Sequence, residues 1–178
     1  MPELQDQSYS PISPAECFFR YYTQGIHYSL NGIVRFNDID NYDFTGSLFN
    51  KKIFDDSIDE INIHTLKEDI VVYRYIENTL IKPMLSWGGS KFLKKGSILV
   101  DKGFMSTTLC LDAVQNRHYA NLNKRSLFTI YVPKGTPCVY VDLISDMNEN
   151  EIIFAPGIKL KVLDTHFFKK FVECVVEI

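Results

Sequence analysis

The 178-residue sequence predicts an α+β fold, with N-terminal helices packed on a mostly antiparallel, two-sheet β core. Before residue 70 the apolar residues recur at helical spacing, whereas after it they form short β-branched and aromatic runs bounded by turn residues. Apolar side chains make up 46% of the chain and aromatic ones 13%, which suffices to fill one core. We therefore expect a single domain over residues 1–178, mainly helical at 1–69 and strand-rich at 70–178.

Two helices are predicted in the first part. Segment 13–16 reads Ser-Pro-Ala-Glu, the pattern of a capping box with proline at the first helical position, so a helix should begin there and end near Gly25. Segment 47–61 places its large apolar residues on one helical face and its Lys and Asp residues on the other. The polar stretch 37–46 between them is predicted to be a loop.

Short strands are predicted after the helices. They span residues 70–76, 97–100, 103–108, 127–132, 139–144, 151–154, 159–164 and 171–178. Proline followed by glycine makes strong turns at 133–135 and 155–157. Pro83 is expected to interrupt the segment that follows Thr79. Segment 87–90 is expected to form a flexible connection.

Charge and cysteine content exclude several classes of function. The formal charge of −3 gives no sequence-wide cationic field, so we expect no nucleic-acid partner. No apolar run reaches the roughly 18 residues of a membrane-spanning helix, so no membrane insertion is expected. The four cysteines are dispersed without a Cys-x-x-Cys pair, which favours small buried hydrophobes and leaves two disulfides as the alternative.

Neither a metal site nor a Sec signal is predicted. The four histidines are scattered, and the Asp-rich segment 38–43 lacks the glycine that a calcium loop needs. Residues 1–10 are polar and acidic, without the basic start and apolar stretch of a Sec signal. The protein is therefore expected to stay in the cytoplasm, to leave by a route that reads no such signal, or to be part of a longer chain.

Three short pieces carry residues suited to chemistry. Arg74 lies inside an apolar strand, where a guanidinium is costly to bury unless an anion meets it. Segment 103–108 ends in a cluster of hydroxyl side chains. Glu149 and Glu151 would project to one face if the backbone there is extended. The ordinary alternatives are a solvent-facing arginine, a Thr-rich strand and solvated carboxylates.

Together and in this order, these pieces resemble the Arg-Ser-Glu class of mono-ADP-ribosyltransferases, which contains arginine-specific bacterial toxins and vertebrate ecto-enzymes. Tyr73-Arg74 resembles the aromatic-Arg strand of that family, and 103–108 its Phe-x-Ser-Thr-Ser strand. Segment 131–136 resembles its Val-Pro-Lys-Gly turn, and 149–157 its Glu-x-Glu strand and following turn. The resemblance covers roughly residues 70–165.

The resemblance implies an enzyme that cleaves its co-substrate NAD at the nicotinamide–ribose bond and transfers ADP-ribose to a protein side chain, without a metal. Arg74 would meet the phosphates or the adjacent ribose, and Ser106 would hydrogen-bond the catalytic glutamate. Thr107 would line the nicotinamide-ribose pocket. Glu151 would accept the ribose 2′-OH and stabilise the cationic transition state.

Two residues of the hydroxyl and arginine strands depart from the family pattern. Tyr75 stands where the family often has glycine, so only its backbone would contact the nicotinamide amide. Thr108 replaces the last serine of the hydroxyl motif. Neither departure removes a catalytic group.

The resemblance also implies how the acceptor and the phosphates are held. Glu149 would orient and deprotonate an acceptor guanidinium, because glutamate at this position accompanies arginine acceptors. The acceptor-recognition loop would consist of Ser145, Asp146, Met147 and Asn148. Segment 111–124 would cover the phosphates and the nicotinamide, with Arg117 as a second phosphate contact; the alternative is a solvent-facing Arg117 on a short helix.

The expected partner is a target protein that carries the acceptor, and the protein would be a secreted or translocated bacterial toxin or effector. Transfer to water, which makes an NAD glycohydrolase, and transfer to Thr or Ser are the alternatives within the family. A non-enzymatic interaction module is the alternative of another class.

Overall fold

The structure, a computed structural model, describes residues 13–36, 50–112, 123–141, 150–166 and 170–178. Within these ranges the helices are α1 (Pro14–Tyr21), α2 (His27–Phe36), α3 (Lys51–Ile63) and α4 (Asn78–Trp87). The strands are β1 (Ile70–Glu77), β2 (Ile98–Asp101), β3 (Met105–Thr108), β4 (Arg125–Val132), β5 (Val139–Tyr140), β6 (Glu151–Phe154), β7 (Ile158–His166) and β8 (Phe171–Glu177).

The strands hydrogen-bond in the order β2-β7-β8-β4-β1-β3-β6-β5, and β4 with β8 is the parallel pair among them. Strands β1 and β3 pair at Tyr73 and Thr108 alone, so the sheet falls into a five-stranded and a three-stranded part joined at a narrow contact. The predicted α+β fold with a mostly antiparallel core is confirmed.

Two apolar clusters hold these layers together. One joins α1, α2 and α3 to the three-stranded part through Phe104, Val141 and Ile153. The other joins α4 to the five-stranded part and receives Met105 and Ile152. Phe104 and Met105 are consecutive where β3 begins, and Ile152 and Ile153 are consecutive in β6. The two members of each pair belong to different clusters, because successive side chains of an extended strand point to opposite faces. All four residues of β6 are buried, and the site described below begins at this strand.

The first helical region is longer than predicted. The capping contact at its start is present, since Ser13 Oγ accepts from Glu16 N at 3.0 Å. The expected end near Gly25 is wrong, because a π-helical turn, Tyr22–Ile26, leads directly into α2. Gly25 has a φ of 132°, which side-chain-bearing residues rarely adopt, so glycine permits the kink between the helices.

The interruption predicted at Pro83 is also wrong, because Pro83 lies inside α4. Proline removes one backbone hydrogen bond, yet the burial of Met84 and Leu85 against the core stabilises the helix. Segment 87–90, expected to be a flexible connection, is closely packed at Gly88. A Cβ on Gly88 would meet Ile98 O at 2.3 Å, so the chain passes the start of β2 without room for a side chain.

Most predicted strands agree with the structure to within a few residues. Strand β6 has the predicted bounds, whereas β3 begins at Met105 and not at residue 103. The strand predicted at 139–144 ends at Tyr140, and residues 142–144 lie outside the described part. The loop predicted at 37–46 lies there too, and α3 begins at Lys51 after an Asn50 cap.

The four cysteines are all free thiols. Cys138 and Cys174 are buried, as expected, and burial raises the pKa of Cys138 to about 11 and that of Cys174 to about 12. Cys17 and Cys110 are half-buried. None of the described helices is long and apolar enough to cross a bilayer.

Candidate active site

The strand order β1-β3-β6 brings the three predicted pieces side by side. Tyr73 of β1 lies opposite Thr108 of β3, and Thr108 lies opposite Glu151 of β6. Ser106 is two residues from Thr108 and shares its face of the strand. The narrow contact between the two parts of the sheet therefore brings Ser106 and Glu151 beside β1, and the Glu151 carboxylate is close enough to Arg74 to act on its pKa.

Ser106 and Glu151 are joined by a hydrogen bond. Ser106 Oγ donates to Glu151 Oε1 across the β3–β6 pair, where diagonal neighbours are within reach of each other. Glu151 is only 9% exposed, and a carboxylate shielded from water needs such a donor. The hydrogen bond therefore fixes the orientation of the carboxylate.

Arg74 is not the solvent-facing arginine of the ordinary alternative. It lies between the buried residues Val72 and Ile76, and its side chain is 17% exposed. Burial lowers the pKa of Arg74, and the neighbouring Asp101 carboxylate opposes that shift. Nη1 of Arg74 is buried and has no hydrogen-bond acceptor among the described residues. A buried cation with an open donor suits an anionic ligand group.

Behind Arg74 lies an ion pair that the sequence patterns did not predict. Asp101 ends β2 and is 0% exposed, and its two oxygens accept from Arg35 Nε at 2.8 Å and Arg35 Nη2 at 2.9 Å. Arg74 Nη1 lies 3.7 Å from Asp101 Oδ2. Two guanidinium groups thus share one buried carboxylate, and the cluster keeps one net positive charge.

A second group missed from the sequence joins the helices to β3. Asn31 Nδ2 donates to Phe104 O at 3.1 Å, and Phe104 N donates to Asn31 Oδ1 at 2.8 Å. Tyr22 Oη accepts from Asn31 at 2.8 Å and donates to Phe104 O at 3.2 Å. Burial raises the pKa of Tyr22 to about 12, so it remains a hydroxyl donor at neutral pH. The backbone just before Ser106 is therefore held from the helical side.

Gly103 is required by these close contacts. A Cβ at this position would lie 2.7 Å from Asn31 Oδ1 and 2.8 Å from Arg35 Nε. The Gly103 N–H donates to Asp101 Oδ1 at 2.9 Å and not to a neighbouring strand, so β3 begins later than the predicted residue 103. The glycine that opens the hydroxyl motif thus admits two side chains of α2.

Replacing Asn31 by alanine is expected to lower the free energy of unfolding by about 3 kcal/mol, and Tm by roughly 6–12 °C, because backbone groups of Phe104 lose their partner. Differential scanning calorimetry measures this loss. The matched control is Asn62→Ala, since Asn62 is an exposed residue of α3. A Tm equal to that of the control would show that the Asn31 hydrogen bonds do not stabilise the fold.

Three further residues predicted for the NAD pocket, Thr107, Thr108 and Tyr75, lie in β3 and β1. Thr107 is buried, and its Oγ1 donates to Ile152 O at 3.0 Å. Thr108 Oγ1 accepts from Cys110 N at 3.0 Å. Tyr75 follows Arg74 in β1, so its side chain points to the opposite face. The pocket roles of these residues stay predictions.

The remaining predicted residues lie outside the described part of the chain. They are Arg117, Ser145, Asp146, Met147, Asn148 and Glu149. Asn150, between the two glutamates, has a φ of 51°, so the extended backbone assumed through 149–151 is wrong at this residue. Asparagine tolerates this left-handed conformation better than most residues.

The sequence held weak signals for the missed residues. Asp101 is a charged residue that ends an apolar strand immediately before the hydroxyl motif. Arg35 likewise interrupts an apolar helical run. Since helix α2 was not predicted, no position could be assigned to Arg35 or Asn31.

The family model of the ADP-ribosyltransferase exoenzymes matches residues 6–175. No curated protein sequence matches the chain. Among solved structures, Plx2a toxin from Paenibacillus larvae is similar at 19% identity and a TM-score of 0.68, over 92% of this chain and 86% of that one.

Two further structures have the same fold. C3stau2 from S. aureus, solved with NAD, shares 18% identity at a TM-score of 0.70, over 96% of this chain and 88% of that one. Vis toxin from Vibrio splendidus shares 17% identity at a TM-score of 0.65, over 97% of this chain and 76% of that one. The family match spans nearly the whole sequence, and the chain belongs to the ADP-ribosyltransferase exoenzyme family and is an NAD-dependent ADP-ribosyltransferase.

Proposed function

We propose that this enzyme transfers ADP-ribose from NAD to an arginine side chain of a target protein, and that Arg74, Ser106 and Glu151 form its NAD-cleaving centre. The observation that carries the assignment of the centre is the hydrogen bond from Ser106 to the buried Glu151 carboxylate, beside a guanidinium with an open donor. Both features suit a ligand that carries an anionic diphosphate next to a ribose.

Cleavage of NAD requires a group that favours positive charge on the ribose. The C–N bond to nicotinamide breaks through an oxocarbenium-like state, and nicotinamide leaves with the bonding electron pair. The Glu151 carboxylate would accept a hydrogen bond from the ribose 2′-OH and stabilise the developing cation. Ser106 would keep that carboxylate in place, so that little reorganisation is needed during the reaction.

The diphosphate requires fixed donors. The planar fork of Arg74 would bond two phosphate oxygens at once, which an ammonium group could not do with the same geometry. The net positive charge of the Arg35, Asp101 and Arg74 cluster supports this placement. Arg117 would add a second phosphate contact, while Thr107, Thr108 and the Tyr75 backbone would complete the nicotinamide side.

Glu149 would select arginine as the acceptor. A guanidinium has a pKa above 12, so it attacks the ribose only if a nearby base removes a proton. Residues 145–148 would form the surface that recognises the target protein. A structure of the similar Vis toxin contains agmatine, which is itself a guanidine compound. We therefore expect a guanidine acceptor for this chain also.

We expect the target protein to lie in another cell, because the similar structures include toxins. The enzyme would act as a toxin or effector after secretion or translocation. Intact-protein mass spectrometry of candidate targets after incubation with NAD, followed by mapping of the added ADP-ribose, would identify the acceptor.

Replacing Glu149 by glutamine is expected to reduce ADP-ribosylation of agmatine about a hundredfold, the lower part of the range for a general base. Hydrolysis of NAD should fall much less, because water attacks through a free lone pair and can lose its proton to solvent afterwards, whereas a guanidinium must be deprotonated before it attacks. Chromatography of ADP-ribosyl-agmatine and of free nicotinamide separates the two reactions. Glu68→Gln is the matched control, since Glu68 is exposed and lies before β1, six positions along the chain from Arg74.

The acceptor class is tested with unmodified enzyme, NAD and a cell lysate. Label that neutral hydroxylamine releases from protein would support an arginine acceptor. Label that resists hydroxylamine would instead support Thr or Ser, and free ADP-ribose alone would identify an NAD glycohydrolase.

A further inference from the structure

Asp101 contacts four separate parts of the chain around the candidate site. Its Oδ1 accepts from Arg35 Nε of α2 and from the Gly103 backbone N–H before β3. Its Oδ2 accepts from Arg35 Nη2 and faces Arg74 of β1. Its backbone carbonyl accepts from Gly157 N at 2.7 Å, in the turn that follows β6. Asp101 thus contacts β1 through Arg74 and the chain segments that lie next to β3 and β6.

The contacts to the two arginines differ in kind. Arg35 is held by two short hydrogen bonds, at 2.8 and 2.9 Å. Arg74 Nη1 is 3.7 Å from Asp101 Oδ2, which is too far for a hydrogen bond but close enough for strong attraction where water is excluded. Asp101 thus attracts the Arg74 guanidinium without accepting a hydrogen bond from Arg74 Nη1.

We propose that Asp101 is a positioning residue for NAD binding, which with Arg35 holds the Arg74 guanidinium in place and leaves its donors open for the diphosphate. The proposal rests on the proposed role of Arg74. An ordinary buried counterion would behave differently. Its removal would leave two cations without a compensating charge, and the anionic diphosphate of NAD would then bind more tightly.

The test is Asp101→Asn, with NAD affinity measured by calorimetry in the Glu151→Gln background so that NAD is not consumed. The positioning role predicts that the Kd for NAD rises about tenfold, within the range of coupling between residues of one network. An unchanged or lower Kd would overturn it, since loss of a negative charge alone favours an anionic ligand. Asp59→Asn is the matched control, because Asp59 is an exposed carboxylate of α3.

A double-mutant cycle with Arg74→Met shows whether Asp101 acts through Arg74. If it does, Asp101→Asn should weaken NAD binding by less than about twofold when Arg74 is already replaced. An equal loss in both backgrounds would mean that Asp101 affects NAD only through the general fold, and would overturn the proposal. Failure of the proposed function looks different, because Arg74→Met alone would then bind NAD as tightly as the parent protein.

Should Asp101→Asn not fold, the paired variant Arg35→Met/Asp101→Leu removes both members of the ion pair at unchanged net charge. Replacement of a buried pair by apolar residues is often tolerated. The paired variant is then combined with Arg74→Met in the same cycle. If it weakens NAD binding only in the protein that retains Arg74, the proposal is supported. If it weakens NAD binding equally without Arg74, the proposal is contradicted.

Discussion

Replacing Glu151 by glutamine is expected to reduce nicotinamide release about 10²- to 10³-fold, the cost of losing one group that stabilises transition-state charge. The amide has nearly the same shape as the carboxylate, and its oxygen still accepts from Ser106 Oγ. The negative charge opposite the developing cation is lost, whereas the ribose 2′-OH, which can also accept, keeps a hydrogen-bond partner in the amide NH2. Because that cation exists in the transition state and not in bound NAD, the effect should lie in kcat and leave KM nearly unchanged.

Chromatographic measurement of nicotinamide at saturating NAD gives kcat, and calorimetry gives Tm. The Tm should stay within about 2 °C of the unmodified protein, because a neutral amide in a buried position costs less to desolvate than a carboxylate. Glu173→Gln in β8 is the control for a strand glutamate away from the site. Turnover equal to that of the unmodified enzyme would remove Glu151 from the catalytic centre.

The strands were predictable because their side chains alternate at short range. The buried pattern of β4, with Ser126, Phe128, Ile130 and Val132 inward, follows directly from its sequence. Helices α2 and α4 were not predictable, since Gly25 and Pro83 are signals that ordinarily end a helix. Packing of α2 on the sheet and of Met84 in the core outweighs these local preferences.

The same limit applies to the site. Arg74, Ser106 and Glu151 could be proposed from the sequence because each lies in a short piece whose order along the chain is distinctive. Arg35 and Asp101 are separated by 66 residues, and neither belongs to such a piece. Contacts over that distance depend on the fold and not on local pattern. Residues that hold the site together are therefore harder to predict from sequence than residues that form it.

The second large effect is expected at the phosphate side of the site. Arg74→Lys keeps the positive charge but removes the planar fork, and kcat/KM for NAD should fall about 10²- to 10³-fold through the loss of charge-assisted hydrogen bonds. In the free enzyme no described residue accepts a hydrogen bond from Arg74 Nη1. The substitution therefore breaks no hydrogen bond of this atom, and Tm should change little. Steady-state rates over a range of NAD concentrations should show the loss mainly as a higher KM.

Arg125→Lys is the matched control for Arg74→Lys. Arg125 lies opposite Glu77 in the neighbouring strand β4 and forms a 3.4 Å ion pair with it. Glu77 is three residues from Arg74, so this pair occupies the other face of β1. The same chemical change at Arg125 should therefore leave KM for NAD unaffected. If Arg74→Lys and Arg125→Lys gave the same KM, positive charge alone would suffice at Arg74, and the bidentate contact to the diphosphate would have to be abandoned.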